Sequence, residues 1–289
     1  MADAVTVDKI VGGDHACLTF TDPDERLDLV ADFVATGLRL GQRVICFTES
    51  VIPEDLSAEL ALRDIAADDA SQHGQLAVRG SRAWWTPDGP AKSAQMITRI
   101  ADELQWATTA GFSGLRITAD MCWATRGTAA VDELIAFESQ AARLFDDGEL
   151  IVFCQYDRDS FDPLTLAFAA DAHPKAVAAL AYHDTPLLRI CRQHRPPGIR
   201  VSGEIDYTDI APLQQALAEA LRLDDARIHV NLVRLRFIDV TAATAIAEAA
   251  LTLPTERTMI VTCTESVAAV LDIVGAAQAP QMRILPRNL

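Results

Sequence analysis

Residues 15–48, HACLTFTDPDERLDLVADFVATGLRLGQRVICFT, decide the fold class. Residues 16–19 read as a short strand, and residues 24–40 as a helix with apolar Leu27, Val30, Val34 and Leu38 at helical spacing. Residues 43–48 form a second short apolar run of strand character. Strand, helix and strand in this order make a parallel crossover unit, so an α/β fold is expected. Working outward, strands are predicted at residues 76–79, 115–119 and 150–155, with helices at 93–110 and 128–146. The expected result is a parallel sheet covered by helices.

The loop between the first strand and helix is where nucleotide-binding proteins of this layout place a phosphate loop. Such a loop needs glycines whose N–H groups wrap the phosphate oxygens, and a Lys at the helix start. Here it reads Phe20-Thr21-Asp22-Pro23-Asp24-Glu25-Arg26, and its three carboxylates would repel a triphosphate. Asp22 instead suits a helix cap, Pro23 the first helical position, and Asp24 and Glu25 the positive end of the helix dipole.

The chain has 289 residues, half of them hydrophobic, which is enough for two cores. Asp and Glu outnumber Lys and Arg by 41 to 25, a net charge of -16, with most of the excess before Pro196. That charge argues against nucleic acid or an anionic membrane surface as partner. Residues 1–10 lack the basic, apolar and small-residue order of a secretory signal, and no apolar run reaches membrane-spanning length. A cytoplasmic protein is expected. The six cysteines, Cys17, Cys46, Cys122, Cys154, Cys191 and Cys263, form no C-x-x-C pair and suit reduced thiols.

Pro186, Pro196 and Pro197 interrupt regular patterning, so residues 183–197 are expected to be a linker between domains at 7–182 and 198–289. The second domain alternates strands at 199–205, 227–232, 258–262 and 282–285 with helices at 210–221, 241–251 and 266–274.

Polar residues cluster where the first domain's strands are predicted to end: His15, Cys17, Asp120, Trp123, Cys154, Tyr156 and, further on, His173. Open parallel sheets bind ligands at the carboxyl ends of their strands, so these seven are candidate ligand-binding residues converging on one crevice. His15, Cys17, Cys154 and His173 have no diagnostic metal-ligand spacing, and neither a metal nor a cofactor is expected. A Cys-His-Asp hydrolase is an alternative, although no nucleophile sits in a Gly-x-Ser-x-Gly elbow. The segment Ala83-Trp84-Trp85-Thr86-Pro87 reads as a loop that either lends aromatic surface to a pocket or interface, or covers the sheet edge.

Several ordered motifs of the first domain carry a family resemblance. They are Gly13-Asp14-His15-Ala16-Cys17, Gly37-Leu38-Arg39-Leu40-Gly41-Gln42-Arg43, residues 114–123 (GLRITADMCW), Phe137-Glu138, Phe153-Cys154-Gln155-Tyr156-Asp157-Arg158 and His173-Pro174. Together they resemble the MEDS sensory domain of methanogen and methylotroph regulators, over about residues 7–182. The resemblance implies a degenerate relative of the RecA and circadian-clock (KaiC) ATPase fold, used as a sensor of small organic molecules. It agrees with the missing phosphate loop.

In the second domain, Val201-Ser202-Gly203-Glu204-Ile205-Asp206 and Phe237-Ile238-Asp239-Val240-Thr241-Ala242-Ala243 resemble the STAS domain of anti-sigma factor antagonists. That resemblance implies docking of Phe237, Asp239, Val240, Thr241 and Thr244 on a serine-kinase-like anti-sigma factor, released by phosphorylation just after the turn Asp. Val240 stands at that position and cannot be phosphorylated, which leaves Thr241 as candidate phosphosite. A capping role for Asp239 and Thr241 at the next helix is the plainer reading. The expected protein is thus a non-enzymatic signalling regulator, a sensor joined to an anti-sigma factor antagonist, and a homo-oligomer is compatible with it. The alternatives are a scaffold subunit of a stress-signalling complex and a hydrolase using His15, Cys17, Asp120 and His173.

Overall fold

A computed structural model describes residues 3–85, 92–126 and 128–287. The chain divides into two units, Met1–Ala178 and Ala179–Leu289.

The first unit is a parallel sheet of β1 (Asp3–Val5), β2 (His15–Phe20), β3 (Arg43–Thr48), β4 (Leu76–Gly80), β5 (Leu115–Asp120), β6 (Leu150–Asp157) and β7 (Lys175–Val177). Their spatial order is β1-β7-β2-β6-β5-β3-β4, and every pairing is parallel. The connecting helices are α1 (Pro23–Arg39), α2 (Pro53–Ala61), α3 (Ala67–Gln72), α4 (Ser81–Trp85), α5 (Ser93–Thr109), α6 (Thr128–Gln140) and α7 (Pro163–Ala172). α1 starts as its sequence dictates: the Asp22 carboxylate accepts from the Asp24 and Glu25 amides, and Pro23 fills the first turn.

Strand side chains alternate between faces, and that parity splits this core in two. Ala16, Leu18, Val44, Cys46, Ile151 and Phe153 pack with α1, α2 and α3. Cys17, Ile45, Phe47, Ile117, Val152, Cys154 and Tyr156 pack with α5, α6 and α7. β3 and β5 are buried along their whole length, as a sheet covered on both faces requires.

Trp84 and Trp85 lie in α4 rather than in a loop, each ring 4.7 Å from that of Phe47, so they cover the sheet. Thr86 and Pro87 of that motif lie outside the described residues.

The second unit is a mixed sheet of β8 (Ala181–Asp184), β9 (Leu188–Gln193), β10 (Gly198–Ile205), β11 (Arg227–Leu232), β12 (Leu235–Ile238), β13 (Thr258–Cys263) and β14 (Met282–Pro286). The order is β14-β13-β11-β10-β9-β8, with β12 beside the end of β10. The helices are α8 (Ile210–Leu221), α9 (Val240–Leu251) and α10 (Glu265–Ile273). Alternation along β11 and β13 sends Ile228, Val230, Leu232, Met259, Val261 and Cys263 into one core with these helices. On the opposite face, Gln193 Oε1 accepts from both Arg200 and Asn231.

Residues 183–197 are not a linker. They lie within the second unit, where β9 pairs antiparallel with both β8 and β10. The prolines mark turns rather than a domain boundary: Pro186 sits between β8 and β9, beside the Thr185–Leu188 hydrogen bonds. Pro196 and Pro197 sit between β9 and β10, and the Gln193 amide donates to the Pro196 carbonyl at 2.8 Å. Leu188 and Ile190 of β9 are core residues, so burial outweighs the local breakers.

Candidate functional site

The seven candidates of the first unit do not converge on one crevice, because the sheet separates them. β5 pairs with β6 so that Asp120 stands opposite Gln155, and Ala119 opposite Cys154. Asp120 therefore shares the α1 face with Gln155, whereas Cys154 and Tyr156 share the opposite face with Cys17 and Trp123.

On the α1 face, Arg26 from the first turns of α1 reaches over the ends of the strands. Its Nη2 donates to Asp120 Oδ2 at 3.0 Å, its Nε to Gln155 Oε1, and its Nη1 to Ser50 Oγ at 2.6 Å. Asp120 Oδ2 also accepts from the Ser50 amide at 2.9 Å and its hydroxyl at 2.5 Å, while Oδ1 accepts from the Cys122 amide. Burial pushes the Asp120 carboxyl upward, but Arg26 and the Ser50 and Cys122 donors outweigh it and hold it below the usual range. Asp120 thus ties the α1 start and the loop after β3 to β5, its acceptors taken by the protein itself.

On the other face, His15, Cys154, His173 and Glu138 come together, their potential donor atoms all within 4.8 Å of one another. His15 comes from β2, Cys154 from β6, His173 from the end of α7 and Glu138 from α6. His15 Nε2 lies 3.4 Å from Glu138 Oε2 and 3.5 Å from Cys154 Sγ, and His173 Nε2 lies 3.6 Å from Glu138 Oε2. Tyr156 donates to Glu138 Oε1 at 2.7 Å. The His15 ring stacks on Phe145 with centroids 4.8 Å apart.

His15, Glu138, Cys154, Tyr156 and His173 are buried, none more than 5% exposed, and Cys17 and Trp123 are equally enclosed. Burial has the expected electrostatic result. It pushes Glu138 up and His15 well down, and it raises the Cys17 thiol to about 12. Cys154 rises well above its ordinary value, by burial first and then by Glu138. Asp120 lies on the opposite face of the sheet from Cys17 and Cys154, so these residues do not assemble into the Cys-His-Asp arrangement.

Glu138 is the residue that the candidate set lacks. It stands in the Phe137-Glu138 motif, but only the packing of α6 against β2 and β6 makes it the centre of the cluster. Arg26, Ser50 and Gln155 are likewise added by the fold.

In the second unit, Asp239 Oδ1 caps α9 by accepting from the Ala242 amide at 2.8 Å. Around that cap, Phe237 is 51% and Val240 55% exposed, and Thr241 is exposed. Thr244 is half-buried and donates to the Val240 carbonyl at 2.7 Å. An exposed aromatic and an exposed valine thus flank a helix start that carries an accessible hydroxyl. Among the described residues no helix is long and apolar enough to cross a membrane.

A search of curated proteins returned no match. Among solved structures, a KaiC-like protein, PH0186, from Pyrococcus horikoshii OT3 is similar at a TM-score of 0.46 and 13% identity, over 68% of this chain and 87% of that one. The flagellar accessory protein FlaH from Methanocaldococcus jannaschii is similar at 0.45 and 8%, over 63% and 78%. The MEDS family profile, described as MEthanogen/methylotroph, DcmR Sensory domain, matches residues 14–174. That span contains both buried constellations and more than half of the sequence, and the chain belongs to the MEDS family.

Proposed function

We propose that the chain is a cytoplasmic signalling regulator without catalytic activity of its own. Its MEDS sensor, a RecA/KaiC-like sheet without a phosphate loop, responds to a small organic ligand. Its second unit is a STAS-like anti-sigma factor antagonist that captures a serine-kinase-type anti-sigma factor. The observation that carries the output half is the corner between β12 and α9, where Phe237, Val240 and Thr241 are exposed around the capping Asp239. The family membership of the first unit carries the sensing half. Ligand binding and anti-sigma capture are linked, so saturating ligand changes the partner's dissociation constant.

Thr241 is the regulatory position in this reading. A phosphate there faces the favourable end of α9, yet it brings charge beside Asp239 and a desolvation penalty at the docking surface. The test is capture by the tagged full chain from its source lysate, with bound proteins and phosphate on Thr241 identified by mass spectrometry. A serine-kinase-type anti-sigma factor is expected with wild type and with Thr241→Ala. Thr241→Asp weakens its binding roughly tenfold, about 1.4 kcal/mol. No such partner, or equal capture by all three chains, overturns the reading.

A further inference from the structure

We propose that His15, Glu138, Cys154 and His173 form a binding site for one divalent transition-metal ion, with zinc the occupant that fits best. The inference goes beyond the sensor and antagonist reading, since it rests on the first unit's geometry alone.

Three of the six donor–donor distances match the edges of a coordination tetrahedron, and the other three are at most 4.8 Å. With zinc bonds of about 2.0–2.1 Å to N or O and about 2.3 Å to S, neighbouring ligand atoms lie roughly 3.3–3.6 Å apart. The structure has 3.4, 3.5 and 3.6 Å for the three contacts among these donors. Two of these span carboxylate oxygen to imidazole nitrogen and exceed an ordinary N–H···O bond.

Hydrogen bonding leaves the centre of the cluster unsatisfied. His173 Nδ1 lies 2.6 Å from the Ala169 carbonyl, which can only accept, so Nδ1 carries the proton. His173 Nε2 and Glu138 Oε2 then face each other at 3.6 Å, and among the described residues neither atom has a hydrogen-bond partner. A cation between them resolves both.

The surroundings are built as metal sites require. Ala169 fixes the tautomer and direction of His173, and Tyr156 holds the other oxygen of Glu138. Phe145 stacks on His15 and sets its plane. The charges also balance. A dication with one carboxylate, one thiolate and two neutral imidazoles is neutral, as a site 0–6% exposed demands. Imidazole and thiolate ligands exclude magnesium and calcium. Four protein ligands leave no open position, so the ion clamps α6 and the end of α7 to the sheet and does not activate water.

The test uses the full chain, stripped with chelator and reloaded with Co²⁺ alone as a spectroscopic probe. One cobalt per chain is expected, with the intense visible bands of a tetrahedral site and a sulfur-to-cobalt charge-transfer band, all displaced by one equivalent of Zn²⁺. Cys154→Ser loses the charge-transfer band, whereas Cys263→Ser, in the second unit, retains it. Tyr156→Phe keeps the ring, removes only the bond to Glu138, and weakens zinc binding about 10–100-fold. This variant serves if Cys154→Ser does not fold. Less than stoichiometric cobalt, the weak bands of an octahedral complex, or a band indifferent to Cys154→Ser overturns the site. So does wild-type zinc affinity in Tyr156→Phe.

Discussion

Arg26→Ala destabilises the first unit by about 3 kcal/mol, the lower end of what removing one partner of a buried ion pair costs. Arg26 and Asp120 are both buried, their side chains 5% and 0% exposed, and no solvent takes over when the guanidinium is gone. The loss strands the Asp120 carboxylate, removes the donor to Gln155 Oε1, and abolishes the contact of the guanidinium with the Phe20 ring. Ser50 and Cys122 still donate to Asp120, which keeps the effect from the top of the range. Urea unfolding, with hydrogen exchange read at β2, β5 and β6, measures it. A change below about 1 kcal/mol means that the pair is not what joins α1 to β5. In the Asp120→Asn background the same Arg26 substitution is milder, with a coupling energy of about 0.5–3 kcal/mol.

The pair also fixes a pH dependence. Asp120 has its folded pKa below the ordinary carboxyl value, so its contribution is fully present above the unfolded pKa of about 3.9. The contribution is lost as pH falls through the folded pKa. Wild type therefore loses stability more steeply on acidification than Asp120→Asn, and the two curves converge at the acid end. Parallel curves from pH 6 downward would exclude Asp120 as a source of acid sensitivity.

These residues show what could be read along the chain and what could not. The strand-helix-strand unit at residues 15–48, and the Asp22 cap within it, follow from spacing and side-chain chemistry over a few residues, and they stand as expected. Cys154 and Tyr156 share a face because they are two apart on one strand, as do His15 and Cys17. The relation of Asp120 to Cys154 needs the β5–β6 register, which no local pattern specifies, and one residue of register decides between opposite faces. Glu138 was hidden for a different reason. His15, Glu138, Cys154 and His173 come from four separate elements, so the cluster has no sequence spacing to recognise. At the boundary, the prolines near residues 186–197 signalled a break correctly in kind but not in rank. They turn the chain within a sheet whose burial depends on Leu188 and Ile190.

Gly203→Ala destabilises the second unit by an amount comparable to that of Arg26→Ala in the first. Gly203 lies where β10 changes partner: it stands opposite Leu188 of β9 and Leu235 of β12, and the β12 register shifts between Gly203 and Glu204. Its φ of +99° belongs to the region that L side chains avoid, which costs about 1–3 kcal/mol. A Cβ would also sit 2.0 Å from the Leu187 carbonyl oxygen, a backbone atom that cannot swing aside. That carbonyl accepts from the Glu204 amide at 2.9 Å, so relieving the clash breaks a ladder bond and adds roughly 1–3 kcal/mol of overpacking. Exchange should quicken in β9, β10 and β12, the strands that meet at this bulge. Because β12 leads directly into Asp239 and α9, the variant also loosens the corner of Phe237, Val240 and Thr241 without altering any of its side chains. If the proposed partner capture resides in that corner, it falls in Gly203→Ala although every proposed contact residue is intact. Undiminished partner capture by a folded Gly203→Ala chain, with exchange at β12 demonstrably faster, places the docking surface elsewhere on the second unit.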